Sequence, residues 1–124
     1  MKSGVKMNQT PIVENLKKGI IEFLILSFLN EKEMHIYEIM NCLDELSGGA
    51  CKITFPYGAI YRLSDNGYIT ESKKRIVDNR RRQFYAITDE GRVYLKQMKS
   101  EYEAFMTGVN KILSTLDGEN ENDR

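Results

Sequence analysis

Six cations fall within ten residues of this 124-residue chain, as Lys73-Lys74-Arg75 and Arg80-Arg81-Arg82, with Asp78 as the one acid between them. Ammonium and guanidinium groups at that density match a phosphate backbone, where each phosphate neutralised releases counterions and adds about −0.9 to the slope of log affinity against log salt. A second set, Tyr57, Tyr61 and Arg62, has helical spacing, so two hydroxyls and a guanidinium share one side of a helix. Such groups serve phosphates or base edges. Each set also has a plainer reading: the cations as the solvated surface of a hairpin, the tyrosines as half-buried packing residues. Gly58 costs a helix about 1 kcal/mol relative to Ala and fits either a close approach to a duplex or a tight contact within the protein.

Other chemistries find little support. His35 is the single histidine, and no nucleophile with a base, phosphate loop or ligand cluster accompanies it, so the chain does not read as an enzyme. Cys42 and Cys51 stand apart without a CxxC, which points to no metal site, no cofactor and no disulfide framework. The apolar run Ile20 to Leu29 is interrupted by Glu22 and is far shorter than the roughly 20 residues that span a bilayer. With no signal-peptide pattern before it, a cytoplasmic protein without a membrane partner is expected. Total charge is zero, but the distribution is uneven. Six basic and seven acidic residues to Tyr61 give −1, ten and five from Arg62 to Lys99 give +5, and two and six thereafter give −4.

The elements that would position these groups can be read from caps and periodicity. Thr10-Pro11 opens a helix to about Asn30 whose second half is apolar nearly all round, the mark of a central core helix. Ile36, Ile39, Met40, Leu43 and Leu46 make the inner face of a second helix, stopped by Gly48-Gly49. A third helix starts at Thr54 or Phe55 with Pro56 in its first turn, turns Ala59, Ile60 and Leu63 inward, and ends at Gly67. Runs 68–77 and 81–87 around Asp78-Asn79 form a hairpin. Thr88 caps a long last helix with a heptad stripe of Leu95, Met98, Tyr102, Phe105, Val109, Ile112 and Leu116. At about 1.5 Å per residue its stripe outruns a small domain and asks for a partner helix.

Three helices, a hairpin and a terminal helix make a mainly α fold with a small β-hairpin. This is a winged helix-turn-helix domain over 10–88, a C-terminal dimerisation helix over 89–117 and a disordered tail over 118–124. That order places Tyr57, Tyr61 and Arg62 on the recognition helix and the six cations on the wing, with double-stranded DNA as partner. A winged-helix module that binds protein or RNA is the alternative, against which the six cations argue.

From about Lys18 to Leu95 the chain resembles the PadR family of bacterial transcriptional regulators. The residues that carry the likeness are the Gly19, Glu22 and Leu/Ile run of the first helix, His35-Ile36-Tyr37-Glu38-Ile39, Tyr57-Gly58-Ala59-Ile60-Tyr61-Arg62-Leu63, and Arg80 to Gly91. Ile36 and Gly58 replace the usual Gly and Pro. The resemblance implies a homodimer, with the single C-terminal helix of the shorter branch packed on the partner, acting as a repressor on an inverted repeat. It also implies a possible effector cavity at the dimer interface, for which Met98, Tyr102, Phe105 and Met106 are candidates, although interface packing is the plainer role for these four.

Overall fold

Pro11 opens the first helix, α1 (Pro11–Glu31), in a computed structural model that describes residues 11–53 and 56–122. The cap expected from Thr10 and the helix start expected at Thr54 or Phe55 lie outside the described residues. Ile21, Ile25, Leu26 and Leu29 of α1 are buried, and the helix touches every other helix and the sheet, which is why its second half is apolar on several sides.

After α1 the chain forms a short strand, β1 (Met34–His35), and the second helix, α2 (Ile36–Leu46). His35 caps α2: its Nδ1 accepts from the Glu38 N–H (3.4 Å), while the Glu38 carboxylate accepts from the His35 N–H (3.2 Å). Gly48 and Gly49 end α2 with φ of 62° and 90° and donate back to Glu45 and Asp44, the paired bonds of a Schellman stop. Ile39 and Leu43 are buried, whereas Leu46, expected on the inner face, is 77% exposed because it sits in the final turn beyond the core.

The third helix, α3 (Tyr57–Asp65), is shorter than expected: Pro56 stands before its first residue and not within its first turn. Ala59, Ile60 and Leu63 are its buried stripe. A second Schellman stop closes it, with Gly67 at φ 80° and the Gly67 and Tyr68 N–H groups donating to Ser64 and Leu63.

The hairpin pairs β2 (Ile69–Val77) with β3 (Arg80–Ile87), and Asp78 and Asn79 turn between them with φ of 51° and 64°, the sign that a type I′ turn needs at both central positions. A third strand was not expected. β1 pairs with the other edge of β3, Met34 opposite Tyr85 and His35 opposite Phe84, giving sheet order β1-β3-β2. Two residues carry no periodicity, so β1 is invisible to pattern reading; its pairing satisfies an edge of β3 and fixes the hairpin to the entry of α2.

Thr88 caps the last helix, α4 (Asp89–Asn122): its hydroxyl accepts from the Gly91 N–H (3.0 Å) and donates to the Gly67 carbonyl (2.6 Å). The helix runs on past Asp117, so the tail expected to be disordered from 118 is helical to Asn122. Gly118 lacks the positive φ that would stop a helix, and one helical Gly costs only about 1 kcal/mol. The core is a single cluster drawn from α1, β1, α2, α3 and the base of the hairpin, with Leu95 and Met98 of α4 packed against it.

Candidate nucleic-acid interface

With its aliphatic stripe buried, α3 presents Tyr57 (58% exposed) and Tyr61 (69%) outward. Arg62 lies on the flank nearest α1. Its Nε donates to the Glu22 carboxylate at 2.7 Å across 40 residues of sequence, an ion pair between the third helix and the central one.

On the hairpin, side chains alternate between two faces, and the register sorts the cations. Lys74, Ile76, Arg81 and Gln83 continue the face that carries buried Ile69 and Ile87. Arg75, Val77, Arg80, Arg82 and Phe84 occupy the other. One extra residue in β2 between Glu71 and Lys74, opposite Tyr85 and Gln83, forms a bulge. The bulge is held by Gln83, whose side-chain amide donates to the Lys73 and Phe84 carbonyls (3.1 and 2.9 Å).

The six cations are therefore not equivalent. Lys73 stands 3.7 Å from a Glu33 carboxylate oxygen and 5.1 Å over the Phe84 ring. Ser72 donates to the same carboxylate at 2.7 Å, and that bond, followed by the Lys73 charge, holds the Glu33 carboxyl below its ordinary range. The guanidinium of Arg82 lies 4.2 Å over the Tyr37 ring. An exposed cation–π contact contributes about 0.5–1 kcal/mol, and an exposed ion pair is weakened further by solvent screening. These contacts serve as struts between wing and body. Lys74, Arg80 and Arg81 have no ion pair or ring contact among the described residues, while Arg75 adds only to the field at Glu33. The expectation that Asp78 alone offsets the wing is thus corrected, since Glu33, far away in sequence, takes up Lys73.

The hairpin and α3 adjoin. Tyr57, Tyr37, Arg81 and Gln83 line one small cleft of ≈ 150 Å³. Buried His35 meets Phe84 edge-on, with ring centroids 5.1 Å apart. Tyr57 on α3 and Arg81 on β3 thus share one surface, and Tyr61 is exposed on the same helix. Among the described residues no group of three or more His, Cys, Asp or Glu is placed to hold a metal ion, Cys42 and Cys51 are unpaired, and no helix is long and apolar enough to cross a membrane.

Residues 25–97 match the model of the family described as "Transcriptional regulator PadR-like family". The chain belongs to the PadR-like family of transcriptional regulators. Solved structures agree. A transcriptional regulator from Clostridium thermocellum is 33% identical, with 78% of this chain and 93% of that one covered at a TM-score of 0.67. A PadR family regulator from Eggerthella lenta is 26% identical over 82% and 85%, TM-score 0.68. A PadR-like regulator from Bacillus cereus is 25% identical over 80% and 96%, TM-score 0.69. No curated protein matches the chain. As a PadR-like regulator it is a DNA-binding regulator of transcription and not an enzyme, which removes the reading as a protein- or RNA-binding module.

In this regulator six of the seven residues named for dimerisation divide in two, and Val109 is half-buried. Leu95 and Met98 pack on the chain's own core, and Tyr102 meets Phe23 of α1 with ring centroids 5.3 Å apart and planes tilted by 40°. Phe105 (69% exposed), Ile112 (62%) and Leu116 (50%) stay uncovered, joined by Leu113 (54%), which the heptad count missed. The four effector candidates, Met98, Tyr102, Phe105 and Met106, come together with Phe23 and Ile20 in a cleft of ≈ 590 Å³ between α1 and α4.

Tyr37, Glu33 and Glu22 are the residues that sequence reasoning did not assign to the interface. Tyr37 and Glu22 lie within motifs of the family likeness, but nothing local signals that they face Arg82 and Arg62. Glu33 had only the look of a charged turn.

Proposed function

We propose that this PadR-like regulator is a cytoplasmic homodimeric repressor that binds an inverted-repeat operator. The domain over 10–88 reads DNA, with α3 in the major groove and the wing along the adjacent backbone, and the helix over 89–117 holds two protomers together. The observation that carries the reading is the surface shared by α3 and the wing, where Tyr57 lines one cleft with Arg81, a cation with no ion pair or ring contact among the described residues, and Tyr61 is exposed on the same helix. Lys74, Arg75, Arg80 and Arg81 are the phosphate contacts of first rank. Lys73 and Arg82 reach DNA only by giving up Glu33 and Tyr37, so their main role is to set the wing's angle.

Dimerisation rests on the uncovered part of α4. Phe105, Ile112, Leu113 and Leu116 form an apolar strip on a helix about 51 Å long, of a size that solvent-facing helices rarely leave bare. Ile112 and Leu116 are exposed and lie outside the protomer's core cluster, so Ile112→Asp with Leu116→Asp leaves that core intact. The doubly substituted protein is expected to stay folded and sediment as a monomer where wild type sediments as a dimer. A wild-type monomer at micromolar concentration in sedimentation velocity would overturn this part of the reading.

The cleft between α1 and α4 is of a size suited to a small ligand. Its rings and methionines favour an apolar or aromatic effector, which would release the operator by changing how the protomers meet.

A further inference from the structure

We propose that Arg62 reads a guanine in the bound DNA and that Glu22 is the positioning residue that aims it, an inference that rests on the DNA-binding reading above. Guanine's major-groove edge offers two acceptors, O6 and N7, which an arginine meets with two parallel N–H donors. A guanidinium has five N–H groups in a rigid plane. In Arg62 the Nε–H is taken by Glu22 at 2.7 Å, and the terminal amino groups make no hydrogen bond among the described residues. What remains is the end-on pair, in a plane set by the bond to Glu22. Glu22 belongs to α1, the best-packed helix, so the buttress is rigid and the arm loses little freedom when it meets a base.

The burial gradient runs the right way. The Glu22 side chain is 23% exposed and the Arg62 side chain 56%, so the carboxylate sits against the body and the fork in solvent. The guanidinium lies beside the first turn of α3, the part of a recognition helix that meets base edges: a Cβ at Gly58 would stand 3.4 Å from Arg62 Nη1, an ordinary contact. An ion pair that merely pins α3 to α1 has no use for the free fork.

The test uses full-length wild type, Glu22→Gln and Arg62→Lys with a pool of duplexes carrying a randomised core. Wild type is expected to enrich one guanine per half-site. Replacing that guanine by 7-deazaguanine, which removes N7, should weaken wild type roughly 5-fold or more in fluorescence anisotropy. Both variants should bind the natural and 7-deaza duplexes within about 2-fold of each other, while keeping the wild-type salt slope on a scrambled duplex. If a variant does not fold, the 7-deaza comparison on wild type still decides. Enrichment without a guanine, indifference of wild type to 7-deazaguanine, or a Glu22→Gln protein that keeps full guanine preference overturns the proposal and leaves DNA binding standing. Failure of wild type to bind any duplex overturns both.

Discussion

Gly91→Ala is expected to lower the melting temperature by about 4–12 °C, from an overpacking cost of about 1–3 kcal/mol at on the order of 4 °C per kcal/mol. Gly91 sits in the first turn of α4, where the helix passes directly over the hairpin's entry. A Cβ there would collide with the Tyr68 carbonyl oxygen and stand 2.7 Å from Ile87 Cγ1 and 3.0 Å from the Tyr68 carbonyl carbon. Backbone and a buried branched side chain cannot yield as a lysine tip would. The helix must lift, and three features at the joint are strained together: the Thr88 N–H donating to Tyr68 (3.0 Å), the Thr88 hydroxyl donating to Gly67 (2.6 Å), and the Tyr68–Tyr94 stack with centroids 4.1 Å apart. Because α4 extends some 50 Å from this joint, a small tilt displaces its far end by much more. Gly118→Ala is the control of opposite sign. Nothing lies within 4 Å of a Cβ there, so the helix should gain about 0.5–1 kcal/mol. Calorimetry with both variants checks the pair; an unchanged melting temperature for Gly91→Ala contradicts the packing described for the joint.

The second large effect concerns salt. Arg80→Ala with Arg81→Ala removes two cations without internal partners from each wing, four from a dimer, and the slope of log affinity against log salt should become shallower by about 3–4 units. The loss should be alike for all sequences, because phosphates carry no sequence information directly. Lys73→Ala with Arg82→Ala removes the same formal charge and is expected to change the slope by less, since Glu33 and the Tyr37 ring already hold these two side chains. Anisotropy titrations across salt concentrations compare the two variants. Equal slope changes would show that all six cations act as one field, against the division into struts and phosphate contacts.

Much of this arrangement is legible in the sequence for identifiable reasons. Gly48, Gly49 and Gly67 are read as stops because left-handed caps favour glycine, and all three adopt positive φ. Asp78-Asn79 marks the turn because those side chains tolerate the same region. The α4 stripe is long enough for its period to stand above chance. What escapes is non-local or too short. β1 is two residues long, Leu113 falls one place off the heptad, and α4 passes through Gly118 because a glycine without a left-handed φ is only a weak stop. The cation sorting depends on the β2 bulge and on Glu33, Tyr37 and Glu22, whose partners lie some 40 residues away, beyond any window of local pattern.

The central claim, that two protomers joined through α4 place two α3–wing surfaces on one operator, is tested most directly by the stoichiometry and symmetry of the complex. Sedimentation of the wild-type protein with a duplex enriched from a randomised pool is expected to give two protomers per duplex, with footprinting that protects two inverted half-sites about one helical turn apart. One protomer per duplex, or a protected site without two-fold symmetry, contradicts it.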